Sequence, residues 1–420
     1  MSFIRDAEIE NTIRSYAAPL FQAAGLEPSA IEIYLVNDNS LNAFVAGGQK
    51  LFLNTGLLMR SEHPGQLIGV IAHETGHISG GHLSRIHAAI EKSSAASVLS
   101  YVLGGAATIA TGRADLGQAI IMGGQQVGVR SFLKYSRTQE SSADQAALTI
   151  LENTKQSARG LLEFTKILSG QELLSPNRQD PYLRTHPLTR DRIAALEAHV
   201  AKSPYSDIAP PPDFQKAHRR MLAKLRAFTE SFAITMRRYK ETDASLESRY
   251  ARAIALYRHS KLEEAVVLVD SLISEYPIDP YFHELKGQMM FENGRVAEAM
   301  ASYETAVRLL PGSPLLRYAL AQAQIESNDK ALLEPAIANL RGALEQDSDS
   351  PATWRSLAIA YGRQGNMGMS SLAMAEEALL MGKPADAVYY AGRAEKLLPA
   401  GTTVWLQAQD ILQAAKAKQK

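Results

Sequence analysis

The sequence predicts an α+β domain, mainly helical with a small sheet, followed by an all-α solenoid of helical repeats. Residues 1–202 mix short β-type runs with helical stretches, which is typical of an α+β domain. Next, the segment S-P-Y-S-D-I-A-P-P-P at 203–212 cannot continue a helix and indicates a linker. From 246 to 420 the sequence repeats itself. We therefore place a linker and a long helix at 203–245, between the two domains.

Composition excludes several classes of protein. The 420 residues contain 44 Lys and Arg against 44 Asp and Glu, so no global basic field exists to hold nucleic acid. With no cysteine, disulfide frameworks, Cys-ligated zinc, iron–sulfur clusters and cysteine nucleophiles are all excluded. Any metal must be held by His and carboxylate side chains.

The N-terminal segment Met1–Glu10 lacks the basic stretch and apolar core of a secretory signal. Two interpretations follow. Either the protein is cytosolic, or a signal was removed and the numbered chain begins at an added Met.

The segment 66–82, Q-L-I-G-V-I-A-H-E-T-G-H-I-S-G-G-H, carries the clearest chemical signal. An apolar run leads directly into His73-Glu74-Thr75-Gly76-His77. On a helix, His73 and His77 lie one turn apart on the same face, so both imidazoles can bind one zinc ion while Glu74 reaches a reacting water. The sequence therefore predicts a zinc metallopeptidase of the zincin type, with one zinc per chain.

A catalytic zinc needs a third protein ligand and one open position. In the metzincin arrangement, a third histidine falls six residues after the second, but that position is Leu83 and His82 is one short. One residue is about 100° around a helix, so this arrangement fails. We expect His82 beside the ligands, with an ordinary exposed histidine as the alternative.

A glutamate on a later helix is the other solution. Glu140 can bind the metal, and Asp144, one turn on, can accept a hydrogen bond from a ligand histidine. In isolation, Glu140 and Arg137 would be a surface ion pair at i,i+3 spacing. Beside the histidine helix, we predict Glu140 as the third ligand.

The middle of the first domain is apolar. Residues 93–112 carry no charge, and a second uncharged run covers 116–129. Many of their residues are Ser, Ala, Thr, Gly and Gln, which are poor for a lipid-facing span. We expect a helical hairpin that covers the cleft or rests on a membrane surface, with a transmembrane pair as the alternative.

The segment Asp213–Tyr239 is predicted as one long amphipathic helix with an apolar stripe and a Lys- and Arg-rich face. A solvated face on a helix that packs between domains is the favoured interpretation. Contact with anionic lipid is the alternative.

The repeats have a period of 34 residues: Ala253, Ala265 and Pro277 recur as Gly287, Ala299 and Pro311. This pattern is the tetratricopeptide signature of helix, turn and helix with small residues at the contacts. We predict about four repeats and a capping helix at 403–420. Such a solenoid binds peptides or protein partners and supplies no catalytic chemistry of its own.

Taken together, the motifs resemble the gluzincin peptidases of the HtpX and CAAX-prenyl-protease class. The resemblance rests on His73–His77, Ser136-Arg137, Glu140, Ala143-Asp144, Thr185-His186-Pro187, Arg192-Ile193, Asp38, Asn42–Phe44 and Asn54–Leu57. With its tetratricopeptide array, the chain is similar to the soluble periplasmic branch of this class. Members of that branch are zinc peptidases associated with outer-membrane protein assembly and quality control, in which the repeats engage assembly machinery or substrate.

From the residue types, Glu74 is the general base and later the proton donor to the leaving amine. His186 is the candidate donor to the oxyanion, or else a ligand that holds the resting enzyme inactive until it moves away. A third interpretation is a turn histidine before Pro187, with Arg192 pairing locally. We otherwise expect Arg192, like Asp144, beside the ligands.

Substrate is expected to lie extended along a strand edge, and the nearest strand candidate is Lys50, Leu51, Phe52, Leu53 and Asn54. The leading hypothesis is an endopeptidase for misfolded or stalled outer-membrane proteins. A non-proteolytic assembly adaptor or chaperone with a latent zinc site is the alternative, although a structural site has no need of Glu74. An integral-membrane prenyl-protein protease is disfavoured because several long apolar spans are lacking.

Overall fold

The computed structural model describes residues 2–47, 49–82, 126–169, 182 and 186–418, with the backbone alone at 126–136. They form two compact units, Met1–Thr229 and Glu230–Lys420. The first unit is an α+β domain and the second is entirely helical, which confirms the fold class predicted from the sequence. The predicted domain boundaries remain predictions.

A four-stranded sheet lies in the first unit. Its strands are β1 (Phe3–Ile4), β2 (Glu32–Val36), β3 (Ala43–Ala46) and β4 (Lys50–Asn54), in the order β1-β2-β4-β3. Strand β2 is antiparallel to β1 and parallel to β4, and β3 is antiparallel to β4. One face of the sheet packs on the main core through Leu35, Leu51, Leu53 and Ala43.

The expectation of a free edge at Lys50–Asn54 is wrong. Strand β4 pairs with β2 on one side and with β3 on the other, so its peptide groups are already used. Among the described strands, the edges of the sheet belong to β1 and β3. Of the two, β3 makes the more extensive contact with the helix that carries His73 and His77.

Seven helices complete the described part of the first unit: α1 (Ala7–Ala23), α2 (Thr55–Arg60), α3 (Pro64–Ser79), α4 (Gln126–Asn153), α5 (Arg159–Ser169), α6 (Arg190–Val200) and α7 (Pro212–Thr229). Helix α3 starts with Pro64 in its first turn, where the missing N–H costs nothing. It is buried along its length from Pro64 to His77, so it forms the centre of the domain.

Glycines let the neighbouring helices cross α3 closely. A Cβ atom on Gly69 would lie 2.6 Å from the backbone nitrogen of Leu161 in α5, and one on Gly76 would lie 2.7 Å from the carbonyl oxygen of Ala143 in α4. Both distances are too short for any larger residue without a shift of backbone. The crossing at Gly76 therefore sets how near α4 comes to the second half of α3.

Helix α7 belongs to the first unit and is held there by buried charges. The Lys224 ammonium is 2% exposed and lies 2.7 Å from Asp6 and 3.3 Å from Glu8, at the start of α1. Arg220 pairs with the same Glu8 carboxylate. Burial of this network makes each partner dependent on the others, since an unpaired buried charge is costly.

The single helix expected at Asp213–Tyr239 is in fact two helices. Helix α7 ends at Thr229 and α8 covers Phe232–Arg238, because Ser231 has extended backbone angles. The apolar stripe is divided accordingly. Met221 and Leu225 pack in the core of the first unit, whereas Phe232 stacks on a histidine of the second.

The second unit continues with ten helices: α9 (Leu246–Arg258), α10 (Leu262–Glu275), α11 (Pro280–Glu292), α12 (Val296–Leu309), α13 (Pro314–Glu326), α14 (Leu333–Leu344), α15 (Pro351–Gln364), α16 (Met367–Leu380), α17 (Pro384–Leu397) and α18 (Thr403–Ala417). Small residues line the contacts. A Cβ atom on Gly287 would lie 2.6 Å from the ring of Tyr303, and Ala299 and Ala306 are fully buried.

The hairpin expected at 93–129 lies outside the described residues, apart from its last four positions, which begin α4. Within the described ranges, the helices fall short of the length and apolar character needed to cross a bilayer.

We expect Lys224→Met to destabilise the first unit by about 1–3 kcal/mol, because it removes the ammonium from Asp6 and leaves buried Glu8 with one cation fewer beside it. Hydrogen exchange of the α1 amides, followed by mass spectrometry, measures the effect. The control is Lys216→Met in the same helix, whose pair with Asp213 is exposed and whose loss should cost under about 1 kcal/mol. Equal protection of α1 in both variants would contradict the assigned role of the network.

Candidate metal centre

Four buried side chains from three parts of the first unit meet in one cluster. His73, His77, Glu140 and His186 each offer a ligand atom, and these atoms all lie within 4.8 Å of one another. The Nε2 atoms of His73 and His77 are 3.1 Å apart. Glu140 places its oxygens 3.4 Å from His73 Nε2 and 3.3 Å from His77 Nε2.

The helices explain this convergence. His73 and His77 are one turn apart on α3, and Glu140 projects from α4 at the close crossing that Gly76 permits. His186 comes from a separate segment that precedes α6. All four residues were expected at one site from the sequence, and the structure brings them together.

The other nitrogen of each α3 histidine also has a partner. His73 Nδ1 lies 2.9 Å from Asp144 Oδ1, and His77 Nδ1 lies 2.9 Å from His82 Nδ1. His82 is itself buried, and its carbonyl oxygen accepts a hydrogen bond from Gln139. These outer contacts orient both rings so that their Nε2 atoms point into the cluster.

Arg192 binds both carboxylates on α4. Its Nε and Nη2 donate to the two oxygens of Asp144 at 2.6 and 2.9 Å, and its Nη1 lies 3.0 Å from Glu140 Oε2. Nη1 also donates to the carbonyl oxygen of Pro187, next to His186. The surface pair between Glu140 and Arg137 is therefore not formed, since Glu140 is buried and Arg137 is exposed.

Glu74 is fully buried beside the cluster. Neither of its carboxylate oxygens makes a hydrogen bond to any described residue. The nearest charged partner is His186, whose Nε2 lies 3.4 Å from Glu74 Oε1. A buried carboxylate without hydrogen bonds is costly, which is typical of a group that waits for a ligand or substrate.

Tyr182 is a site residue that the sequence analysis missed. Its ring stacks on His186 with centroids 4.3 Å apart and an angle of 19°, and its carbonyl oxygen accepts the His186 backbone N–H at 2.7 Å. Phe164 of α5 meets the edge of the same tyrosine ring. The only available signal was the spacing of Tyr182 four residues before His186, which is too common to be diagnostic.

The electrostatics follow from burial and pairing. Burial alone would lower the pKa of His73, but hydrogen bonds to Asp144 and Glu140 outweigh it and raise that pKa to about 10. Burial would raise the pKa of Asp144, yet His73 and Arg192 lower it to about 2. For Glu140, His186 and the two α3 histidines overcome burial and hold the pKa well below its ordinary value.

His186 behaves in the opposite way. Burial lowers its pKa to about 4, against the attraction of Glu140 and Glu74, so the imidazole is neutral at neutral pH. A neutral imidazole keeps a lone pair for a metal or a hydrogen bond. The pKa of Arg192 is raised because the pairing with Asp144 outweighs burial, so its charge is permanent.

These features fit a divalent metal ion. The two Nε2 atoms that face each other at 3.1 Å both have their Nδ1 sides occupied, and the Glu140 oxygens lie 3.3 and 3.4 Å from them. Imidazole nitrogens with a carboxylate oxygen are the donor set of catalytic zinc sites. The structure places Glu140, the expected third ligand, in this donor set. Beside the set lie Asp144, Arg192 and His82, as expected.

Comparison with known proteins agrees with the sequence resemblance. Residues 4–200 match the family model described as Peptidase family M48, and residues 250–314 match a tetratricopeptide repeat model. The chain is 26% identical over 392 residues to the beta-barrel assembly-enhancing protease of Yersinia pestis, covering 92% of this chain and 79% of that protein. For the protein of the same name from Escherichia coli K12, the identity is 23% over 389 residues, with 92% and 78% covered.

Two solved structures show weak similarity to this chain. MamA aligns at 17% identity with a TM-score of 0.31, covering 40% of this chain and 94% of its own. YrrB, a tetratricopeptide protein, aligns at 16% identity with a TM-score of 0.32, covering 45% and 93%.

We expect Asp144→Asn to weaken metal binding about 10- to 100-fold, because the amide no longer matches the charge on the His73 ring that it orients. Competition with a chromogenic chelator measures the affinity. The control is Glu152→Gln on the same helix, which pairs with His199 and should leave affinity unchanged. Unaltered affinity in Asp144→Asn would show that the carboxylate does not support the metal ligands.

Proposed function

We propose that this chain, which joins a peptidase family M48 domain to tetratricopeptide repeats, is a zinc-dependent endopeptidase for misfolded or stalled outer-membrane proteins. The observation that carries the proposal is Glu74. This buried carboxylate lies beside the donor set of His73, His77 and Glu140 without a hydrogen bond to any described residue. A site of this kind is built for a general base and not for structural zinc.

In the proposed mechanism, His73, His77 and Glu140 hold the metal, while Asp144 and His82 fix the two rings. Bound zinc would supply Lewis acidity toward a scissile carbonyl and acidify water. Glu74 takes a proton from the attacking water and later gives it to the leaving amine, so that water adds and the peptide bond breaks without net proton change.

For His186, the geometry favours a role as a metal ligand in the resting enzyme over a role as hydrogen-bond donor to the oxyanion. One of its ring nitrogens belongs to the same donor set as the three ligands, and burial lowers its pKa, so the neutral imidazole can act as a ligand. Four protein ligands would leave no position for water or substrate. Tyr182 and the Pro187 carbonyl, held by Arg192, keep this ring in place. We therefore propose a latent enzyme in which His186 must move before cleavage.

Strand β3 is the proposed substrate strand in place of β4. Asn54 N–H donates to Asn42 O, so in this antiparallel pair the peptide groups of Phe44 and Ala46 face β4. Those of Ala43 and Val45 then face the open edge. An extended substrate can pair with them while it lies near α3.

The repeats and the cellular setting complete the proposal. The relatives named above are called assembly-enhancing proteases, and tetratricopeptide solenoids bind proteins. We propose that the second unit binds the outer-membrane assembly machinery or the substrate, with chaperone-like effect. Such a role places the protein in the periplasm.

Replacement of Glu74 by Gln removes the general base and keeps the shape of the side chain. We expect the rate of cleavage of an unfolded model protein to fall at least about 100-fold, with zinc content unchanged. Elemental analysis and a casein degradation assay measure both quantities. Glu62→Gln, a residue just before α3, is the control and should cleave normally. If Glu74→Gln complements the loss of the protein in cells fully, the adaptor function is favoured.

The His186→Ala variant separates the two roles of the histidine. If His186 holds the resting site closed, the variant should retain its zinc and cleave casein several-fold faster than the wild type. If instead it stabilises the oxyanion, cleavage should fall about 100- to 1000-fold. His199→Ala, a partly exposed histidine of α6 that pairs with Glu152, serves as the control.

A further inference from the structure

The outer face of the sheet carries a row of aromatic side chains, one from each strand. Phe3, Tyr34, Phe52 and Phe44 form this row, which we call the aromatic ladder. Ring centroids are 5.6 Å apart for Phe3 and Tyr34, 5.0 Å for Tyr34 and Phe52, and 4.8 Å for Phe52 and Phe44. The last two pairs are stacked, at 13° and 7°.

The aromatic ladder does not belong to the core. Alternate residues of the same strands fill the core from the opposite face. Phe3 is 47% exposed, and the other three rings are half-buried, mainly against one another. Nothing in the proposed chemistry of the metal centre uses them.

The strand register indicates where a bound segment would meet the aromatic ladder. Phe52 is directly opposite Tyr34 in the β2–β4 pair and directly opposite Phe44 in the β3–β4 pair. Tyr34, Phe52 and Phe44 are therefore in register across the sheet, whereas Phe3 is offset and lies opposite Val36. The row stops at Phe44 because β3 is the last of the described strands. A strand added at this edge would place one of its side chains directly opposite Phe44 and extend the row.

The contact between Phe44 and a side chain of the added strand would be close. The peptide groups of Phe44 point toward β4, so an antiparallel strand added outside β3 would meet Phe44 in a non-hydrogen-bonded pair. In such pairs the Cα atoms are about 4.5 Å apart and the side chains touch. The hydrogen bonds of the added strand would go to Ala43 and Val45, on either side.

We infer that the peptidase selects extended polypeptide segments that place an aromatic or large apolar side chain against Phe44. The inference rests on the proposed function, because it takes the β3 edge as the substrate strand. Recognition would thus combine sequence-independent pairing with one side-chain preference. Segments of alternating apolar and polar residues, as in unassembled β-barrel strands, have this character.

A lipid surface is the less favoured occupant. The polar groups beside the ladder are Lys50 and Glu32, which pair with each other at 3.0 Å and give no net positive charge for anionic headgroups. A membrane would also use all four rings alike. A substrate strand would use Phe44 and leave Phe3, three strands away, untouched.

The test uses the full-length, zinc-loaded Glu74→Gln protein, which cannot turn over its ligand. The probes are two fluorescein-labelled peptides of alternating Thr and Gln with either Phe or Ser at one central position. Fluorescence anisotropy gives both dissociation constants. We expect the Phe probe to bind about two- to tenfold more tightly than the Ser probe, the range that one aromatic pair supplies. N-methylation of the residues flanking the Phe should abolish binding.

Two matched variants test whether Phe44 is the residue that gives the preference for the Phe probe. Phe44→Thr should remove the preference for the Phe probe, whereas Phe3→Thr at the far end of the ladder should keep it. Threonine suits a strand, and circular dichroism checks the fold. Should Phe44→Thr fail to fold, Phe44→Val provides the same comparison with less loss of apolar area. A preference that survives at Phe44, or that is lost equally in both variants, overturns the inference.

Two further results separate this inference from its alternatives. Cleavage of casein by the wild-type protein without any dependence of probe binding on Phe44 would overturn the inference and leave the peptidase function standing. A Phe44-dependent preference without cleavage of casein by either the wild type or His186→Ala would support the Phe44 contact and remove the peptidase function. Binding to phosphatidylglycerol vesicles that both variants lose equally, with the peptide preference intact in Phe44→Thr, would assign the ladder to a membrane and overturn the inference.

Discussion

The first unit depends on the convergence of three imidazoles and one carboxylate in its buried interior. His73, His77, His186 and Glu140 are all buried, with ligand atoms within 4.8 Å. Without a metal ion this arrangement is electrostatically costly, and it persists only because outer groups compensate. Arg192 is the principal one of these, since it binds both carboxylates of α4 and the backbone beside His186. A bound metal would pair with the nitrogen and oxygen atoms that the fold has already brought together.

The same geometry joins the chemistry to substrate access. Gly76 allows α4 to approach α3, which brings Glu140 to the histidines, and strand β3 packs beside α3 at the edge of the sheet. One buried helix, α3, thus positions both the catalytic groups and the proposed substrate edge. Tyr182 stacks on His186 from the side of α5 and accepts its backbone N–H, and Arg192 binds the neighbouring Pro187 carbonyl. These contacts hold the histidine that must move in the proposed latent state.

Local spacing predicted the parts of the site that lie within single helices. The i,i+4 pairs His73/His77 and Glu140/Asp144 need only helical geometry, and the resemblance to a peptidase class supplied the order of segments. What could not be predicted was non-local. The position of Lys50–Asn54 inside the sheet depends on strand order, which a short apolar run does not encode. The extended backbone at Ser231 ends α7 although the apolar stripe continues, because the stripe serves two separate cores. Glu140 pairs with Arg192 and not with Arg137, and this pairing likewise depends on tertiary contacts.

The most direct test of the central claim is a calorimetric titration of zinc into the metal-free protein at neutral pH, in two buffers of different ionisation enthalpy. His73 carries a proton in the metal-free cluster because its partners Asp144 and Glu140 raise its pKa to about 10, and it must lose that proton to bind metal. We expect a single site with release of about one proton, and loss of that site in His73→Ala. Tight zinc binding that releases no proton, or that survives in His73→Ala, would contradict it.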